Sequence, residues 1–111
     1  MKVHYLEIVS PDVDAICAAY EAAQNVQFGE ADELHGGART CSWADGSIVG
    51  VRGLLRETED PIIRPYWLVE DIEAAIGSVK AQGAKIAVPP LEIPGKGTFA
   101  IYIMGFVDHG F

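Results

Sequence analysis

The sequence predicts an α+β fold made of two βαβββ units in tandem, and three observations carry that expectation. Residues 12–23 and 71–82 each place apolar side chains at helical spacing: Val13, Ile16, Cys17 and Tyr20 in the first, Ile72, Ala75, Ile76 and Val79 in the second. One offset of 59 positions maps the first set onto the second. Each helical segment follows an apolar, strand-like run (3–9 and 66–69) and precedes several short β-rich segments. A duplicated unit whose sheet curves leaves a hollow between its copies.

The elements follow in order. Residues 3–9 alternate as a strand, with Tyr5, Glu7 and Val9 on one face and His4, Leu6 and Ile8 on the other. Ser10-Pro11-Asp12 starts the first helix, since Ser or Asp caps free N–H groups and Pro suits the first helical position. Asn25 stops it. A short strand over 26–28 precedes a polar loop over 29–37. Residues 39–43 and 47–54 form a hairpin across Asp45-Gly46, a strong turn pair. The charged segment 56–63 reads as a connector between a first module (1–55) and a second (64–111), the 111 residues forming one domain. Strand 66–69, a helix opened by Glu70-Asp71 and closed by Gly83, and a strand over 85–88 follow. Pro89-Pro90 breaks that strand, 91–93 is a brief extended piece, and 94–97 is a turn. Residues 98–104 form a strand, with Phe99, Ile101 and Ile103 expected toward the helices and Tyr102 on the other face. A last short strand occupies 108–111.

Half of the residues are apolar and 22% are charged, an ordinary balance for a globular chain. The net charge of −8 repels phosphate backbones and anionic lipid, and no basic run offsets it, so nucleic acid and membrane partners are not expected. Cys17 and Cys41 form no CxxC pair and read as buried, reduced thiols. No run reaches membrane-spanning length, and a cytoplasmic location is the default expectation.

On the face opposite the helices the strands bring Tyr5, Glu7, Tyr66 and Tyr102 together, apolar walls with a few polar anchors, which suits a ligand cavity. Glu7 is the candidate catalytic group, a general base or polar anchor tuned by Arg52 and Arg64; a structural Glu–Arg pair is the alternative. Tyr5, Arg52, Arg64, Tyr66, Tyr102 and His109 are the candidate ligand-binding residues. His35 is expected in a solvated loop. Gly95 and Gly97 precede no helix and mark a hairpin turn rather than a phosphate loop.

Three stretches resemble the vicinal oxygen chelate superfamily of glyoxalase I, extradiol dioxygenases and bleomycin-resistance proteins. They are Tyr-Leu-Glu-Ile-Val-Ser-Pro-Asp-Val-Asp-Ala at 5–15 (with Ala-Ala-Tyr at 18–20), Tyr-Trp-Leu-Val-Glu-Asp-Ile-Glu-Ala-Ala at 66–75, and Pro-Pro-Leu-Glu-Ile-Pro-Gly-Lys-Gly-Thr-Phe-Ala at 89–100. The resemblance implies an open, U-shaped mixed sheet with helices on its outer side, and commonly a homodimer. It also implies a divalent metal held by His, Gln or Glu from the first and last strands of each module, acting as a Lewis acid. The matching positions here are Tyr5, Arg64 (by the 59-residue offset), Gly50 to Arg52, and the neighbourhood of Gly110, a poor set for a cation. No cofactor is therefore expected. A divalent metal stays open as the alternative, on His4, Glu7 and His109, if a bulge turns His4 inward. The expectation is a glyoxalase-like or bleomycin-resistance-like protein that binds a small organic molecule between its modules without the usual metal. A metal-dependent lyase, isomerase or dioxygenase, and a dimeric interaction module, are the alternatives. The sequence leaves open the ligand, and whether modules pair within or between chains.

Overall fold

The computed structural model describes residues 2–111. Its elements are β1 (Val3–Val9), α1 (Val13–Gln24), a single 3-10 turn (Glu33–His35), β2 (Arg39–Ser42), β3 (Ile48–Arg52), β4 (Ile62–Trp67), α2 (Ile72–Ala81), β5 (Lys85–Ile93), β6 (Gly97–Met104) and β7 (Val107–Gly110). The seven strands form one open mixed sheet in the order β2-β3-β1-β4-β7-β6-β5. The expected α+β class is therefore present. The two units meet where β1 and β4 run antiparallel, with Tyr5 opposite Tyr66 and Glu7 opposite Arg64. On either side of this seam a parallel pair repeats the pattern, β1 with β3 and β4 with β7.

The stop signals and the α2 cap act as their chemistry predicts, whereas at the start of α1 Asp12 makes no side-chain cap, Pro11 lies before the helix, and Ser10 Oγ accepts from the Asp12 N–H at 3.0 Å. Asp71 caps α2 by accepting from the Ala74 N–H at 3.0 Å. Asn25 ends α1 in the left-handed conformation, and Gly83 does the same just beyond α2. Ile8, Cys17, Phe28, Cys41, Val49 and Val51 form the core between α1 and the sheet, so both thiols are buried and unpaired with each other.

Several boundaries differ from the sequence expectation. Residues 26–28 form no strand. Left-handed Asn25 turns the chain, Phe28 enters the core, and its N–H donates to the Glu21 carboxylate at 2.9 Å instead of to a ladder. β5 runs unbroken through Pro89-Pro90, with its register slipping between Val88 and Leu91. It is an edge strand, and the register shift spanning the two prolines takes them out of regular pairing with β6, so their missing N–H donors break no ladder bond. β4 starts at Ile62, inside the expected connector, because its first residues pair with the end of β1.

On the face away from the helices, two tyrosine rings lie directly over glycines. A Cβ at Gly50 would stand 1.7 Å from the Tyr5 hydroxyl, and one at Gly110 would stand 2.3 Å from Tyr66 Cδ2 and 2.8 Å from its Cγ. Both glycines are therefore required by close approach rather than by backbone angle. The Tyr5 hydroxyl is the far end of a side chain and can swing aside, whereas Cγ of Tyr66 is anchored to the backbone. Gly110→Ala should cost about 1–3 kcal/mol and more than Gly50→Ala, as read from urea midpoints at constant m; equal midpoints would contradict this packing.

Candidate functional site

The face opposite the helices encloses a cleft of about 1070 Å³. Its floor crosses the β1–β4 seam, where alternation along each strand places Tyr5, Glu7, Arg64 and Tyr66 in one row. Glu7 is the centre. Its Oε2 accepts from Arg52 Nε at 2.8 Å, and its Oε1 accepts from Arg64 Nη1 and from the Tyr66 hydroxyl at 3.0 Å. Arg52 continues outward to Glu59 through two parallel hydrogen bonds of 3.0 and 2.8 Å. Arg64 continues to Asp108 at 2.8 Å. Both arginines are 7% exposed, so this is a buried network and not a surface decoration.

The walls are aromatic. His35, Tyr5, Tyr66 and Phe99 form a chain of tilted and edge-to-face contacts with centroid separations of 5.0, 5.8 and 6.3 Å, spanning the cleft from the 3-10 turn to β6. Burial, reinforced by the Glu7 charge, raises both tyrosine pKa values, so the phenols remain neutral. Burial also lowers the His35 pKa, followed by the Lys96 charge. At the cleft mouth Lys96, in the β5–β6 turn, pairs with Asp32 of the first unit at 3.2 Å.

The structure brings Tyr5, Glu7, Arg52, Arg64 and Tyr66 together, as expected, but not Tyr102 or His109. Tyr102 is buried on the other face of β6, stacked between His109 at 5.2 Å and Phe111 at 4.8 Å. Phe99 and Ile101, expected toward the helices, line the cleft instead. The reason is that β6 is apolar on both faces, so alternation gives two rows without saying which one meets α2. His35 packs on Tyr5 rather than standing in solvent. Asp108 and the Asp32–Lys96 contact depend on distant chain segments meeting, and Glu59 on an aperiodic loop that folds back onto Arg52, so none of them carries a signal in the local sequence.

A divalent cation does not fit the donors that these residues offer. β1 does carry a bulge, between Val3 and Tyr5, and His4 lines the cleft. His109, however, is engaged with Tyr102, and its Nε2 lies 3.3 Å from the Met104 carbonyl oxygen. Both Glu7 oxygens already accept hydrogen bonds from guanidinium groups, which repel a second cation. Among the described residues no three His, Cys, Asp or Glu side chains gather as a ligand set.

The open α+β sheet of paired units is the fold of several solved proteins to which this chain is similar. Among solved structures, a hypothetical protein from Bacillus halodurans C-125 is similar with a TM-score of 0.71 and 19% identity, over 99% of this chain and 91% of that one. Streptomyces coelicolor methylmalonyl-CoA epimerase, as a variant bound to 2-nitronate-propionyl-CoA, is similar with a TM-score of 0.64 and 14% identity, over 99% and 94%. The Mycobacterium tuberculosis methylmalonyl-CoA epimerase is similar with 0.68 and 14%, over 96% and 83%. Likeness at these identities shows the fold. No family profile and no curated protein matches the sequence. Among the described residues, no helix is long and apolar enough to cross a membrane.

Two predictions follow from the network. Glu7→Gln leaves two buried guanidinium groups short of their anion and should lower the unfolding free energy by about 3–5 kcal/mol. A Glu7→Gln protein as stable as wild type would disprove the network. Arg52's hydrogen bonds, helped by the Leu55 N–H, hold the Glu59 carboxyl at about 2 instead of 4.5. A depressed folded pKa contributes stability that is complete above the unfolded value and is lost as pH falls through the folded one. Wild type should therefore lose more stability than Glu59→Gln between pH 4.5 and pH 2, as measured by thermal melts across that window.

Proposed function

We propose that this protein binds a small organic molecule in the cleft between its two units, and does so without the divalent metal used by enzymes of this fold. One observation carries the reading: the cleft floor is built on two buried guanidinium groups locked to Glu7, where a cation would need free carboxylates and imidazoles. The volume and aromatic walls support an organic occupant, since such sites are concave, largely apolar and fitted with a few polar anchors.

Binding is favoured over proton abstraction. Both Glu7 oxygens are turned to donors of the floor, Oε2 to Arg52 and Oε1 to Arg64 and Tyr66, so the floor and not a substrate sets the carboxylate's orientation. Glu7 acts in this reading as a positioning residue that holds both arginines in the floor. Tyr5, Tyr66, Arg52 and Arg64 supply the surface on which the ligand rests.

Metal analysis of the purified protein and melts with divalent ions test this. A specific site at a hundredfold excess of ion over its Kd would add about 2.7 kcal/mol. The expected result is no stoichiometric metal and an unchanged melting temperature with magnesium, manganese, zinc or nickel. One metal per chain, or a large shift with any of these ions, would overturn the metal-free reading.

A further inference from the structure

The cleft has a charge character unlike the rest of the chain. The protein carries a net charge of −8. Yet Arg52, Arg56, Arg64 and Lys96, four of its eight lysines and arginines, line the cleft, against Glu7, Glu59 and Glu70 of its sixteen acids. Asp108 and Asp32 complete the pairing of Arg64 and Lys96. Of the charged side chains on the cleft lining, these pairings leave Arg56 and Glu70 without a side-chain partner among the described residues. Among the described residues the Arg56 guanidinium has no hydrogen-bond or ion-pair partner, although it stands on the wall beside Leu55 and Glu59.

A second donor points the same way. Arg64 uses Nη1 on Glu7 and Nη2 on Asp108, but its Nε–H is buried without an acceptor. A buried, unsatisfied donor costs about 1–3 kcal/mol. The cleft therefore combines a planar aromatic lining from Tyr5, Tyr66 and Phe99 with two guanidinium donors, those of Arg56 and the Arg64 Nε–H, that have no acceptor.

Resting on the reading of the cleft as an organic-ligand site, we propose that its occupant is an aromatic carboxylate, with its ring against the Tyr5–Tyr66–Phe99 wall and its anionic oxygens on Arg56. The planar guanidinium matches a carboxylate through two parallel hydrogen bonds, and the wall accepts a ring edge-to-face or offset. A neutral ring would satisfy the wall and leave the guanidinium in water. A small inorganic anion would do the reverse.

Titration calorimetry with 2-naphthoate and its neutral analogue 2-naphthamide tests this on the full chain. The expected result is one naphthoate per chain, bound at least about tenfold more tightly than the amide. In Arg56→Gln that difference should collapse, with naphthoate weakened and the amide unchanged. Arg56 is exposed, so the variant should fold as wild type, which circular dichroism checks. Phe99→Ala should weaken both compounds. Equal binding of the two, or an Arg56→Gln protein that still prefers naphthoate, would overturn the carboxylate while leaving the cleft an organic-ligand site. Failure of both compounds to bind would overturn the carboxylate and count against the cleft itself as a site for flat organic molecules.

Discussion

Glu7 is held between two guanidinium groups, and the architecture around the cleft depends on that arrangement. Arg52 comes from β3 of the first unit and Arg64 from β4 of the second, so a single carboxylate ties both units together across their seam. Burying these charges is costly in itself, and the attraction between them roughly offsets the loss of water. The larger consequence is for register. A slip of one residue between β1 and β4 would turn Glu7 to the helix side and strand both arginines in a low-dielectric floor. Charge pairing and the alternation of apolar residues thus select the same alignment.

That alignment also decides what the cleft can hold. With the floor occupied by arginine and carboxylate locked together, no free ligand set remains for a hard cation. The aromatic chain from His35 to Phe99 instead forms a continuous apolar wall. Tyr5 and Tyr66 can approach the sheet closely only because Gly50 and Gly110 have no side chain. The Lys96–Asp32 pair joins the two sides at the mouth, far from the seam, in a wetter setting where an ion pair contributes little to stability. The two units are therefore joined by a largely buried, hydrogen-bonded network of ion pairs at the floor and by one exposed pair at the rim.

Much of this was legible in the chain. The repeated helical spacing, the Asp45-Gly46 turn, and the Asn25 and Gly83 stops all depend on residues within a few positions of one another, and each appears where local chemistry places it. Tyr5 and Glu7 lie on the face that alternation along β1 predicts, because β1 is apolar on one face and polar-aromatic on the other. β6 has no such contrast, and Tyr102 lies on the face opposite to the one expected. The proline pair in β5 reads as a break in sequence because nothing local shows that this strand lies at an edge.

By itself the sequence determined the α+β class, the strand–helix–strand repeat that opens each unit, and the buried cysteines. These follow from short-range periodicity and from residue type. Only the tertiary structure decided that Glu7 is held between Arg52 and Arg64, that Glu59 and Asp108 complete the network, and that Phe99 rather than Tyr102 walls the cleft. The Glu7 and Asp108 contacts join residues roughly 44 to 57 positions apart, the Arg52–Glu59 pair depends on how the loop after β3 folds back, and the wall depends on which face of a strand meets a helix. Strand order and sheet curvature set them, and neither is written in any local stretch of chain.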